Sequence, residues 1–239
     1  MKLSTTSIKQ LDTLLQTVAL VSIDKLIITK DSIRGIDEKK SVVIITDQNV
    51  PDFGDLSVGL NRLGVLSSRL NLVKGDSECG VEAIEASKNS EVSHLQLTSS
   101  NAKVQCRCAS VESVKGVPKA INDKYVWTVT VPYATVPVVL QAASAMGAEN
   151  AIIVAKNDGV SFEFVDSNQD VFSTKFAEEA ACDENQASSF VFNYPVKSFL
   201  PLLKAATNGN TDVTLNIGER GILSITVNGY AFMVLPSEQ

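Results

Sequence analysis

The chain has 239 residues, 44% of them hydrophobic and 20% charged, with a formal net charge of −6 and a pI near 4.9. That length fills one large domain or two of about 120 residues each, and an acidic total excludes a protein that coats itself in nucleic acid, so any such contact must be locally basic. No run of ~18 apolar residues occurs, so no membrane span and no membrane partner are expected, and the polar opening MKLSTTSIKQLDTLLQTVAL lacks the apolar stretch of a signal peptide.

The first element is a helix. Thr6 or Ser7 is its expected cap, and Ile8, Leu11, Leu14, Leu15 and Val18 recur at helical spacing. Strand-like runs follow at residues 25–29 and 42–46, and Pro51, Asp52 and Gly54 punctuate the chain. A second helix is expected over residues 57–71, with Leu60, Leu63, Leu66 and Leu70 as its stripe, although Gly59 and Gly64 weaken its start. Residues 80–86, 92–99 and 103–109 read as a meander of antiparallel hairpins. SVESVKGVPKAINDK, residues 110–124, breaks the pattern and is the expected linker.

The second half repeats the order. Residues 125–131 alternate as a strand, Pro132 leads into a helix over 134–146, and Gly147 ends it. Strands follow at 151–155, 160–165 and 171–177, with Asp158-Gly159 as a hairpin turn. Residues 178–187 read as an acidic exposed loop. After a strand at 190–193, Pro195 opens a fourth helix whose stripe is Val196, Phe199, Leu200 and Leu203. The chain closes with strands at 212–217, 222–227 and 230–235, the last two joined by Asn228-Gly229, a type I′ signal.

The chemistry of an enzyme is missing as a set, so no catalytic residue, metal or cofactor is expected. His94 is the sole histidine and sits in a strand pattern, and there is no GxSxG elbow. Residues 166–170 lack the glycine and final glutamate of a calcium loop and read as a turn. Cys79, Cys106, Cys108 and Cys182 match no zinc or redox spacing and read as reduced thiols of a cytoplasmic protein.

The fold class is therefore α+β, two similar halves that each combine antiparallel sheets with two helices. This layout, together with the opening MKLS before a Leu-rich helix and the closing GILSITVNGYAFMVLPSEQ, resembles the two-domain DNA polymerase sliding clamps, most of all those of tailed phages. The resemblance implies domains at 1–110 and 125–239 joined by a connector at 111–124. It further implies a homotrimeric ring around duplex DNA, held without sequence-specific contacts, loaded by an ATP-dependent clamp loader and tethering a DNA polymerase. If the chain is viral, its place is the cytoplasm of the infected host.

In such a ring, helices face the DNA, and the candidate cations are Lys9, Arg62, Arg69, Lys197 and Lys204. The pairs 62/69 and 197/204 each lie two helical turns apart. Lys25, Lys30, Arg34, Lys74 and Lys156 are weaker candidates at loops and strand ends. The resemblance places the subunit interface on Lys103, Val104, Gln105, Cys106, Arg107 and Cys108 of one chain and Val171, Phe172, Ser173, Thr174, Lys175 and Phe176 of the next. It places the pocket for partner peptides at Val114, Val117, Pro118, Leu235 and Pro236. The alternative is an oligomeric structural or assembly protein that uses the same strand edges.

Overall fold

The structure, a computed structural model, describes residues 1–86, 90–156, 158–182 and 189–237. It divides into two compact units, residues Met1–Ala120 and Ile121–Gln239.

The first unit runs α1 (Thr5–Ala19), β1 (Ile23–Thr29), β2 (Ser32–Asp37), β3 (Val42–Thr46), β4 (Val58–Leu60), α2 (Leu63–Val73), β5 (Gly80–Glu85), β6 (Val92–Thr98) and β7 (Lys103–Arg107). Its strands form two antiparallel groups, ordered β3-β2-β1-β4 and β5-β6-β7. Helix α1 starts at Ser4 rather than at Thr6 or Ser7. The Ser4 hydroxyl accepts from the Ser7 N–H at 3.1 Å, and Ser7 itself is buried one turn in. Leu11, Leu14, Leu15 and Val18 are buried as their spacing predicts. The two helices pack on each other and on strands of both sheets, so one apolar layer serves the whole unit.

The helix expected over 57–71 is two elements. Val58, Gly59 and Leu60 pair with Ile28, Ile27 and Leu26 of β1, and α2 begins only at Leu63. An apolar run of three cannot show a period, so spacing alone does not separate it from the helix that follows. Gly59 explains the strand: a Cβ there would lie 2.6 Å from the Ala109 carbonyl oxygen, whose own N–H donates to Gly59 O at 2.9 Å. Strand β2 has no clear signal in the sequence either, because SIRGID carries two charges and a glycine where a strand pattern wants apolar residues.

The second unit runs β8 (Tyr125–Val131), α3 (Val136–Met146), β9 (Asn150–Lys156), β10 (Gly159–Val165), β11 (Val171–Ala177), β12 (Ala181–Cys182), β13 (Phe190–Pro195), α4 (Val196–Ala206), β14 (Val213–Gly218), β15 (Leu223–Val227) and β16 (Tyr230–Val234). The strands form the antiparallel orders β12-β8-β14-β15-β16 and β11-β10-β9-β13. A short 3-10 turn at Tyr133–Thr135 precedes α3. Pro195 ends β13 rather than opening α4. Gly159 pairs with Lys156 and is the first residue of β10 rather than part of the turn. Asn228 and Gly229 have φ of 52° and 80°, as a type I′ turn between β15 and β16 requires. The two-residue strand β12 falls in the segment read as loop, which otherwise runs through residues 183–187, outside the described residues.

The core of this unit is aromatic. Phe162 stacks on Phe176 at 4.4 Å between centroids and meets Phe199 of α4 at 6.1 Å. Tyr194 is buried, and its hydroxyl donates to the Gly221 carbonyl at 2.8 Å. The ends of the expected linker are each fixed within one unit. Val111 N–H donates to Glu91 Oε2 at 3.1 Å in the first, and Arg220 Nη2 donates to Asn122 O at 2.7 Å in the second.

Burial pushes the Tyr230 hydroxyl from 10.0 up to about 12, and burial with the neighbouring Cys106 pushes the Cys108 thiol from 9.0 up to about 12. Both groups keep their protons longer folded than unfolded. The stability this gives is complete below pH 9 and is lost as pH rises toward 12, because the unfolded chain releases those protons first. The denaturant midpoint should therefore fall across pH 9–12, and Tyr230→Phe should make that fall shallower. An equal slope in the variant would remove Tyr230 from the account.

Candidate functional site

The outward sides of the helices are poor in acid. The four helices, of 15, 11, 11 and 11 residues, carry Lys9, Arg69, Lys197 and Lys204 against a single acid, Asp12, of the 27 acids in the chain. Even that acid is neutralised, since Lys74 just past α2 holds Asp12 at 2.9 Å. Lys9 is exposed on α1. Lys197 and Lys204 are exposed on α4, opposite Phe199, Leu200, Leu202 and Leu203. Helix α3 presents Pro137, Val138, Gln141, Ser144 and Ala145 and no charge at all.

Arg62 and Arg69 do not form the pair their spacing suggested. Because α2 starts at Leu63, Arg62 stands in the entry turn, exposed, with φ −142° and ψ 57°. Arg69 leans onto β7, where its Nη1 donates to the Gln105 carbonyl at 3.0 Å and lies 3.8 Å from Cys106 Sγ. Among the weaker candidates, Lys30 pairs with Asp55 at 2.9 Å and Lys156 with Glu163 at 4.0 Å, so neither offers a free cation.

Among the described residues, β7 and β11 each end a sheet with no strand on the far side. In β5-β6-β7 the far side of β5 is covered: Leu3 N–H donates to Val81 O at 2.8 Å, and Ala83 N–H to Met1 O at 2.7 Å. That leaves β7 as the open edge. In β11-β10-β9-β13, Ser237 N–H donates to Asn193 O of β13 at 2.8 Å, and β11 ends the other side.

The parity of each edge follows from the bonds that bracket it. Ser99 N–H donates to Ala102 O at 2.8 Å and Cys108 N–H to Ser93 O at 2.9 Å, in register with Leu95↔Cys106 and Leu97↔Val104. Antiparallel ladders alternate, so Val104 and Cys106 bond inward to β6, while Lys103, Gln105 and Arg107 turn their N–H and C=O groups outward. In the same way Asp166 N–H donates to Asp170 O at 3.1 Å. Phe172 and Thr174 therefore bond inward to β10, and Val171 and Ser173 face out, with Lys175 beside a bulge.

The side chains sort differently from the backbone. Cys106 is 5% exposed and Phe176 8%, so both pack into their own unit and are closed to a partner's side chains. Lys103, Gln105, Arg107, Val171, Ser173 and Lys175 are exposed. Val104, Cys108, Phe172 and Thr174 are half-buried, and Lys175 pairs with Glu178. Sequence reading missed Val65 and Leu72, 41% and 72% exposed, which share the face of α2 that carries Arg69. Val65, Arg69, Cys106 and Arg107 line one small hollow beside β7. Only the odd exposure of apolar residues in a solved fold reveals such a face.

Of the residues expected to form the peptide pocket, Val114 is 5% exposed. Val117 and Pro118 are half-buried in the first unit. Leu235 and Pro236 are half-buried in the second, where Ser237 Oγ sits 2.6 Å from Asn150 Oδ1.

Among the described residues, no group of three or more His, Cys, Asp or Glu side chains stands close enough to hold a metal ion, and no helix is long and apolar enough to cross a membrane. His94 is half-buried in β6 with Nδ1 3.1 Å from Ser93 Oγ. Asp166 closes a turn by accepting from Asn168 N–H at 2.8 Å and Asp170 N–H at 2.9 Å.

Paired two-helix, two-sheet units of this kind define the DNA-clamp fold. Many solved structures with it match this chain, among them these three. Proliferating cell nuclear antigen (PCNA) of A. fulgidus, in a structure where the C-terminal region of FEN-1 is bound to it, superposes with a TM-score of 0.65 and 12% identity, over 100% of this chain and 98% of that one. The same antigen from Entamoeba histolytica gives 0.65 and 13%, over 99% and 98%. PCNA of Thermococcus kodakaraensis gives 0.67 and 11%, over 99% of both chains. No protein-family model and no curated protein matches the sequence. The chain thus has the PCNA-like clamp fold, with α+β units of antiparallel sheet, and the likeness extends from one end to the other.

The edge parity makes a direct expectation for amide exchange. In dilute protein, below any self-association, the amides of Lys103, Gln105, Arg107, Val171 and Ser173 should exchange as open chain, and those of Val104, Cys106, Phe172 and Thr174 far more slowly. Uniform protection along either strand would overturn the assignment of open edges.

Proposed function

We propose that this chain is a sliding clamp: a non-enzymatic homotrimeric ring that encircles duplex DNA, is loaded by an ATP-dependent clamp loader and tethers a DNA polymerase. The observation that carries the reading is the segregation of charge. A chain of net −6 keeps all but one of its acids off the four helices, and places Lys9, Lys197 and Lys204 on their exposed sides. Sparse cations suit a ring that must slide, because topology holds the DNA and phosphate attraction need only be weak and independent of sequence.

The open edges β7 and β11 support closure by strand pairing between chains, with Lys103, Val104, Gln105, Arg107 and Cys108 meeting Val171, Phe172, Ser173, Thr174 and Lys175. Cys106 and Phe176 would contribute backbone alone. Domains at 1–110 and 125–239 with a connector at 111–124 belong to this proposal, as does descent from tailed-phage clamps, suggested by the two ends of the sequence. Val114, Val117, Pro118, Leu235 and Pro236 are proposed contacts for a partner's peptide. A clamp-fold protein that holds the C-terminal region of FEN-1 supports that class of partner.

Light scattering should give three times the 25.6 kDa chain mass, and the protein should be retained on circular but not on linear DNA after loading. Lys197→Glu with Lys204→Glu should leave the trimer intact and weaken retention. Each lost phosphate contact should lower the slope of log affinity against log salt by about 0.9. A persistent monomer or an open filament with no retention would sink the reading and favour a structural protein.

A further inference from the structure

The Gln105 carbonyl is one of the outward groups of β7, and in the isolated chain a cation is already bonded to it. Arg69 Nη1 donates to it at 3.0 Å, from a helix one layer above the strand. A second strand joining this edge would bring its own N–H to about 2.9 Å of the same oxygen and its backbone within about 4.8 Å of β7. The planar guanidinium fills part of that space. Its charge-assisted bond is also roughly twice as strong as the neutral ladder bond that would replace it.

Arg69 is not needed to hold β7 in place. The strand is bonded to β6 along its inner side, and Cys106 and Val104 anchor its buried face. Arg69 also lies between Val65 and Leu72 on the helix face beside this edge, so its position decides whether an incoming chain meets an apolar stripe or a charge. Free strand edges are prone to indiscriminate pairing, and a cation placed over one is a recognised way to block it.

We infer that Arg69 is an edge guard: it caps the open Gln105 carbonyl in the free chain and must withdraw before β11 of a second copy can pair with β7. Self-association is then set by a competition within the chain. The inference rests on the reading of β7 and β11 as the self-association edges.

The test compares dissociation constants from concentration-dependent light scattering for three proteins. Arg69→Met keeps the apolar stem and removes the donors. Ser173→Pro removes one outward N–H from β11 without touching the β10 ladder or the Arg69 cap. If the guard exists, Arg69→Met associates about tenfold more tightly per contact than the native chain, and Ser173→Pro fails to associate. If Ser173→Pro fails to associate and Arg69→Met is unchanged or weaker, the guard is overturned and the edge pairing stands. If Ser173→Pro associates as the native chain does, the edge pairing falls and the guard with it.

Discussion

Backbone hydrogen bonding is the constraint on which the rest of this molecule depends. Each strand carries donors and acceptors on both sides, and a group left without a partner must face water or find a substitute. The chain closes one side of its three-stranded sheet with residues 1–3 and touches β13 of its four-stranded sheet with Ser237. At the other ends of these two sheets, β7 and β11 have no strand on their far side among the described residues. The helices follow from the same constraint. They cover the apolar faces of sheets whose strands alternate inward and outward, and their own outer faces are left to meet whatever lies beyond.

Those outer faces are marked by what is missing from them. A protein this acidic with its acids spread evenly would place several on its helices, and it places one, already paired with Lys74. The effect is a surface of weak positive character, assembled from hydroxyls, amides, small side chains and a few lysines. On the clamp reading proposed above, more cations on these helices would bind phosphate tightly and resist sliding. The uncharged face of α3 fits this account as well as the lysines of α4 do.

Arg69 connects the two themes. Its sequence position, two turns from Arg62, marks it as a helix cation. Its guanidinium instead serves the edge of β7, because α2 packs against β6 and β7 and a long side chain on that flank reaches the strand before it reaches solvent. Cys106 and Phe176 teach the converse. They alternate along their strands as interface residues should, yet the sheet face they occupy is the one their own unit buries.

The sequence by itself determined the elements with a strong local period: α1 from Leu11, Leu14, Leu15 and Val18, α4 from Phe199, Leu200 and Leu203, and the hairpin at Asn228-Gly229. It determined the repeat of two helices with antiparallel strands, and with that the fold class, because periods of 3.6 and 2 are properties of neighbouring residues. Only the tertiary structure decided that residues 58–60 form a strand, since that depends on Gly59 approaching Ala109 from fifty residues away. It alone decided that β7 and β11 end their sheets and that Arg69 caps Gln105. Each of these is a contact between segments distant in the chain, and spacing along the sequence carries no record of which segments will meet.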